Sequence, residues 1–159
     1  LNILKHDEVI FNDCHGIFFN GSDCLASKGF MMSRIEGDGY FLDLYNTHLD
    51  AGSTHKDIQV RQKQVEVLQK YILENSLGNA IVLSGDFNID YKTNSDIIDS
   101  FAETFSFKFI TNQSSPEIDY IFYRGNDQFI LDVQNINYND SLNFLSDHKP
   151  LSIKVLINK

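Results

Sequence analysis

Apolar residues recur along this chain in two rhythms, one of period two and one helical. Tyr40 to Thr47 alternates and is rich in aromatic and aliphatic residues, which predicts a strand. Gly29 to Glu36 reads as its hairpin partner, because Gly37-Asp-Gly39 between them forms a turn with glycines available for positive φ. The rhythm then changes. Ile58, Arg61, Val65, Leu68 and Ile72 fall at helical spacing and predict a helix from about Lys56 to Asn75. Ser53 or Thr54 is its candidate cap, Asp57 suits the positive end of the helix dipole, and Gly78 ends the region. Ala80 to Leu83 is a short continuous apolar run, as in a strand buried on both faces. A short helix is expected over Asn94 to Glu103, begun by Thr93 or Asn94. Ile118 to Arg124, Phe129 to Tyr138 and Leu151 to Ile157 read as strands, with Pro150 at the entrance of the last, where a missing N–H is tolerated. Phe101 to Phe109 holds four phenylalanines and reads as core rather than as a lipid-inserting patch, and Asn135 to Asn143 as a loop. Strands with interspersed helices make an α/β sandwich.

Composition narrows the partners more than the fold. With 159 residues, 42% hydrophobic and 22% charged, the chain has ordinary globular values and suits one domain or a large piece of one. The net charge of −9, with no Lys/Arg cluster, weighs against a long nucleic-acid groove on this part of the protein. It leaves a small phosphate-containing substrate and a divalent cation open. No stretch approaches the apolar length of a transmembrane helix, and no signal-peptide pattern is present in a chain that begins at Leu1. Compartment stays open. Cys14 and Cys24 fit one bridge or two free thiols equally well. His6, His15 and His55 lack motif context and are expected at the surface.

The polar residues of interest all sit at strand ends. His48 follows the strand ending near Thr47, Asp86 and Asn88 follow the Ala80–Leu83 strand, Asp119 opens the strand from Ile118, and Asp147 and His148 precede the last one. Strand ends on a rigid sheet are common positions for catalytic groups. Alone, His48 reads as a structural hydrogen-bonder, and Asp86 in Gly-Asp-Phe-Asn fits a turn residue and a functional one equally well. Asp119 inside an apolar run is different, because a buried carboxylate needs a partner. The set offers hard oxygen ligands, suited to Mg²⁺, Mn²⁺ or Ca²⁺, and no thiolate set for zinc.

The ordered set Asn46-Thr-His48-Leu-Asp-Ala-Gly, Ser84-Gly-Asp86-Phe-Asn88-Ile-Asp, Ile118-Asp119-Tyr-Ile-Phe and Ser146-Asp147-His148-Lys-Pro resembles the endonuclease/exonuclease/phosphatase superfamily. Gly21-Ser-Asp-Cys-Leu-Ala-Ser-Lys-Gly-Phe30 looks most like its sphingomyelinase-like branch. The similarity runs from about residue 20 to residue 156. It implies an α/β/β/α four-layer sandwich of the DNase I-like type and a Mg²⁺- or Mn²⁺-dependent phosphodiesterase. By matching position, Asp86 would orient or deprotonate the attacking water and Asn88 would donate to a phosphate oxygen. His148 would act as acid or base, oriented by Asp119. His48 would contact phosphate or serve as the acid, and Asp147 would bind metal directly or through another ligand. The resemblance also implies an upstream glutamate as principal metal ligand. Residues 1 to 30 hold no equivalent, Glu8 included. The chain is therefore expected to supply mainly the C-terminal half of one domain, 1–159, and to be inactive and apolar-faced without the N-terminal half. A phospholipid such as sphingomyelin is favoured as substrate, with transient membrane-surface contact. A nuclease of DNase-like or abasic-site type, and a non-catalytic module retaining the fold, are the alternatives. A phosphoinositide phosphatase fits less well, because Ile89-Asp90 follows Asn88 where that branch has Tyr-Arg.

Overall fold

A computed structural model describes residues 1–16, 23–113, 116–138 and 146–158. Eight strands and two helices follow in the order β1 (Asn2–Ile10), β2 (Gly29–Gly37), β3 (Tyr40–His48), α1 (His55–Asn75), β4 (Ala80–Asp86), α2 (Tyr91–Phe105), β5 (Lys108–Thr111), β6 (Asp119–Arg124), β7 (Ile130–Tyr138) and β8 (Leu151–Asn158). Six strands form one sheet in the order β1-β2-β3-β4-β6-β5, and β7 and β8 form a separate antiparallel pair. Only β3 and β4 run parallel in the large sheet, and α1 is the crossover that joins them.

Local chemistry explains the expected elements and corrects their ends. The β2–β3 hairpin closes on Asp38 (φ 48°) and Gly39 (φ 80°), so the two positive-φ positions are an Asp and a Gly, with Gly37 still in the strand. Thr54 is the cap of α1: its hydroxyl accepts from Asp57 N, and Asp57 Oδ2 accepts from Thr54 N at 2.7 Å. That reciprocal box contributes about 1 kcal/mol. Helix α2 starts earlier than its periodicity suggests, capped by Asp90, because a kink at Asn94 (φ −141°) joins a first turn to the periodic part. Strands β1 and β5 were not expected. The first is an exposed edge with charged residues in it, and the second is hidden inside the phenylalanine-rich segment.

The large sheet has two different faces. On one, Phe30, Met32, Tyr45, Ile81, Leu83, Tyr120 and Phe122 pack against Val65, Leu68 and Ile72 of α1 and Phe101, Ala102 and Phe105 of α2. Phe101, Phe105 and Phe107 are thus core, as expected. Burial of each such side chain is worth roughly 1.5–3 kcal/mol. Arg124 closes the end of this layer: Nη1 donates to Phe105 O and Nη2 to Ser76 O, both at 3.0 Å, which satisfies carbonyls at the C-terminal ends of both helices. On the other face Leu131 packs on Leu42 and Ala80, with Val155, Ile157, Leu44, Val82 and Tyr123 around them. The β7–β8 pair therefore covers one end of that face. The functional residues lie at the opposite end.

Cys14 and Cys24 form a disulfide, which settles a pairing left open by the sequence.

Candidate active site

Strand register builds the site. The parallel β3–β4 pairing sets His48 opposite Asp86, and the antiparallel β4–β6 pairing sets Asp86 opposite Asp119. Three adjacent strands, about 4.8 Å apart, thus carry His48, Asp86 and Asp119 in one row across the sheet. Gly85 makes that row possible: a Cβ there would lie 2.0 Å from Thr47 O. Asn88 takes φ 51°, a left-handed conformation that asparagine tolerates, and its backbone N donates to Asp86 Oδ1 at 2.8 Å. The Asn88 side chain donates to Leu49 O at 3.1 Å, and Leu49 N donates to Asp86 O at 2.9 Å. The loops after β3 and β4 are locked together by these bonds. Tyr120 Oη also binds Ile89 O at 2.6 Å, tying the second loop to β6.

His148 reaches the row from the segment before β8. Its Nδ1 lies 2.9 Å from Asp119 Oδ2 and its Nε2 3.8 Å from Asp86 Oδ2. His48 approaches the same Asp86 oxygen, with Nε2 at 3.4 Å. Lys28 Nζ sits 2.9 Å from His48 Nε2, so the ammonium donates and His48 accepts. Asp86, Asp119, Ser84, Ser146 and His148 line a cleft of about 330 Å³.

The charges in this cluster are tuned against each other. Burial pushes the Asp86 carboxyl up, and the nearby Asp119 charge adds to that, against the Asn88 N–H and the two imidazoles. The hydrogen bond to Asp119 raises the His148 imidazole, with the Asp86 and Asp147 charges adding to it and burial opposing. The arrangement can hold a proton on His148, supported by Asp119, beside a carboxylate that resists ionisation.

Five of the six candidate residues meet here: His48, Asp86, Asn88, Asp119 and His148. Asp147 stands exposed beside His148. Among the described residues the group that brings three ligand atoms within 4.8 Å of one another is Asp86, Asp119 and His148. His6 and His55 are exposed, as expected. His15 is only partly at the surface: 23% of its side chain is exposed and Nδ1 lies 2.5 Å from Asp57 Oδ1. The disulfide neighbour Cys14 and a buried polar network bring it there. In that network Asp50 N donates to Gln64 Oε1, Arg61 Nη1 to Asp50 O, and His15 N to Asp50 Oδ2. These bonds brace the loop that follows His48. The sequence pointed to none of them. Lys28 had a signal, since it precedes Gly29, which pairs with His48 across the hairpin. Asn112, which donates to Asp119, had no motif.

The fold and this row of residues define an α/β sandwich with a carboxylate–imidazole cluster at its strand ends. Residues 6–115 match the Endonuclease/Exonuclease/phosphatase family 2, and the chain belongs to that family. A sphingomyelinase from Mycobacterium tuberculosis is 32% identical over 83 residues, a stretch covering 51% of this chain and 16% of that protein. The human nocturnin catalytic domain superimposes with a TM-score of 0.71 at 16% identity, over 99% of this chain and 60% of that one. A Staphylococcus aureus beta toxin with bound magnesium ions superimposes with a TM-score of 0.61 at 15% identity, over 99% of this chain and 61% of that one. The sandwich expected from the motifs is therefore the DNase I-like fold. The described residues hold a helical layer, a six-stranded sheet and a two-stranded sheet against the face away from the helices.

The residues present fit a hard divalent cation. Asp86 is a carboxylate whose ionised form burial disfavours, and a cation beside it would restore that form. Asp119 is less free to serve, because its Oδ2 already accepts from His148 and Asn112.

Proposed function

We propose that this chain carries most of the active site of a metal-dependent phosphodiesterase that attacks phosphorus with water, most directly on a phospholipid such as sphingomyelin. The observation that carries the reading is the row His48–Asp86–Asp119 with His148 above it: two imidazoles approach one carboxylate oxygen, at 3.4 and 3.8 Å. In-line displacement needs a base on one side of phosphorus and an acid on the other. His148 is the base. Asp119 fixes its Nδ1–H, leaving Nε2 to take the proton of the water as the new P–O bond forms. Asp86 orients that water. Asn88 supplies an amide donor to a non-bridging oxygen without adding negative charge. As the ester bond breaks, the leaving oxygen takes its proton from the Lys28–His48 pair, whose shared proton lies between Lys28 Nζ and His48 Nε2. Mg²⁺ or Mn²⁺ would be held through Asp86, with Asp147 and an upstream glutamate completing the set, and would supply positive charge to the phosphate. The chain acts as the C-terminal portion of the catalytic domain, and an N-terminal half completes it. The coverage of about 60% of the neighbouring structures supports this.

Support for a phospholipid comes from the named relative, from the net charge of −9, and from an apolar hollow of about 520 Å³ beside His48 lined by Ile10, Ala26, Phe30 and Met31. A surface of that charge disfavours the nuclease reading. The test is an assay of the full-length protein on sphingomyelin, lysophospholipid, abasic DNA and plasmid DNA in parallel. Turnover of the phospholipids that EDTA abolishes and Mg²⁺ restores is the expected result. Hydrolysis of DNA alone would transfer the site to a nuclease, and hydrolysis indifferent to EDTA would reject the metal-dependent mechanism.

A further inference from the structure

Asn112 lies just beyond β5, outside every motif, yet it is the second donor on the carboxylate that serves His148. Its Nδ2 donates to Asp119 Oδ2 at 2.8 Å, the same oxygen that His148 Nδ1 approaches at 2.9 Å. Its backbone N also donates to Asp119 O at 3.1 Å, so main chain and side chain both tie it to that residue. Asn112 is 3% exposed, and its Oδ1 is buried without a hydrogen-bond partner among the described residues. An orphaned buried carbonyl costs about 1–3 kcal/mol, which an apolar side chain of similar shape would avoid. Turning the amide over does not relieve this, because Oδ1 would then face the Asp119 oxygen, acceptor against acceptor. Among the described residues the one bond its side chain makes is that to Asp119.

The consequence is geometric. His148 is held by Asp119 and by a bond from its own N to Ser146 Oγ at 3.1 Å. Its ring orientation is therefore inherited from the Asp119 carboxylate. That carboxylate needs a fixed torsion, and β6 alone does not supply one. We propose that Asn112 is a positioning residue that locks the Asp119 carboxylate and, through it, aims His148 Nε2 at the reacting centre. This rests on the phosphodiesterase reading above. A misdirected base costs turnover far more than binding, since positional errors near 1 Å cost about 10²-fold in rate.

The experiment uses full-length protein, Mg²⁺ and bis(4-nitrophenyl) phosphate. Asn112→Ala and the isosteric Asn112→Asp are each expected to lower kcat at least about tenfold with KM within about twofold. In an Asp119→Ala background neither should lower kcat further, because the carboxylate it acts through is gone. Unchanged kcat in a folded Asn112 variant, or losses that multiply in the double variant, overturn the proposal. Should neither Asn112 variant fold, the Asn112 side-chain amide resonance decides by NMR on the parent chain and its Asp119→Ala variant at one fixed pH. It should move upfield and exchange faster in the variant, and an unmoved resonance overturns the proposal. Wild-type protein without activity on any phosphodiester rejects the functional reading itself, whereas active wild type with normal Asn112 variants rejects only this inference.

Discussion

Two aspartates on the large sheet, Asp43 and Asp86, are both withdrawn from solvent and behave in opposite ways. Asp43 sits on β3 facing the helices, fully buried, with Arg34 Nε on Oδ1 at 2.7 Å and Arg34 Nη2, Ser76 Oγ and Asn79 Nδ2 all on Oδ2. Burial pushes its carboxyl up, but those bonds outweigh it and hold the group below the usual aspartate range. Asp86 sits on β4 facing away from the helices, with one backbone N–H and two imidazoles that stop short of tight bonds. Burial wins there, and its carboxyl is raised. A satisfied buried charge holds a fold together. An under-satisfied one at a strand end is available for chemistry.

The comparison breaks most sharply at Asp86. Asp86→Ala is expected to lower turnover about 10³-fold, by removing a group that orients the nucleophile. The same substitution should leave the melting temperature unchanged or higher, because it removes a carboxylate that the fold disfavours in its ionised form. A large drop in melting temperature would show that Asp86 is structural, and steady-state kinetics beside a thermal melt decides.

Asp43→Ala should do the reverse. It leaves Arg34 without its carboxylate and is expected to destabilise by about 3 kcal/mol, since breaking a buried ion pair strands a charge. Activity per folded molecule should persist. Urea denaturation of the variant measures this, and a loss below about 1 kcal/mol would mean that the pair is ordinary surface electrostatics. The two aspartates also respond to pH with opposite signs. The folded pKa of Asp43 is depressed, so its contribution is present above the ordinary aspartate value and is lost as pH falls through the depressed one. The folded pKa of Asp86 is raised, so its contribution is present below the ordinary value and is lost as pH rises through the raised one. Subtracting each alanine variant's stability-against-pH curve from wild type should therefore give slopes of opposite sign in the acid range. Slopes of the same sign would erase the distinction between the faces.

The sequence showed the candidate site better than it showed what holds that site in place. His48, Asp86, Asn88, Asp119 and His148 were legible because each lies in a short motif at the end of an apolar run, and strand register turns those ends into one row. The α1 helix was legible because its apolar stripe repeats. Asn112 and the Asp50–Gln64 contact were not, because each depends on which elements become neighbours rather than on a local pattern, whereas Lys28 had its place beside Gly29 as a signal. Strand β1 was missed for a related reason: an exposed edge keeps charged residues and loses the alternation that marks a half-buried strand. His15 is more buried than its sequence context suggests because a disulfide and the N-terminus of a distant helix draw it partly inward.

The smallest effect tests whether that inward pull matters to the site. Asp57 has two duties, closing the capping box with Thr54 and receiving His15. Burial pushes its carboxyl up, but the His15 and Thr54 bonds outweigh that and hold it low. Thr54→Ala removes only the hydroxyl half of the box and should cost about 1 kcal/mol by urea denaturation. The Thr54 N–H bond and the His15 contact remain, so the brace under the His48 loop stays in place and turnover per folded molecule should not change. A fall in turnover beyond the folded fraction would mean that the α1 N-terminus transmits strain to His48, and that the helix-covered layer is not separate from the chemistry on the other face.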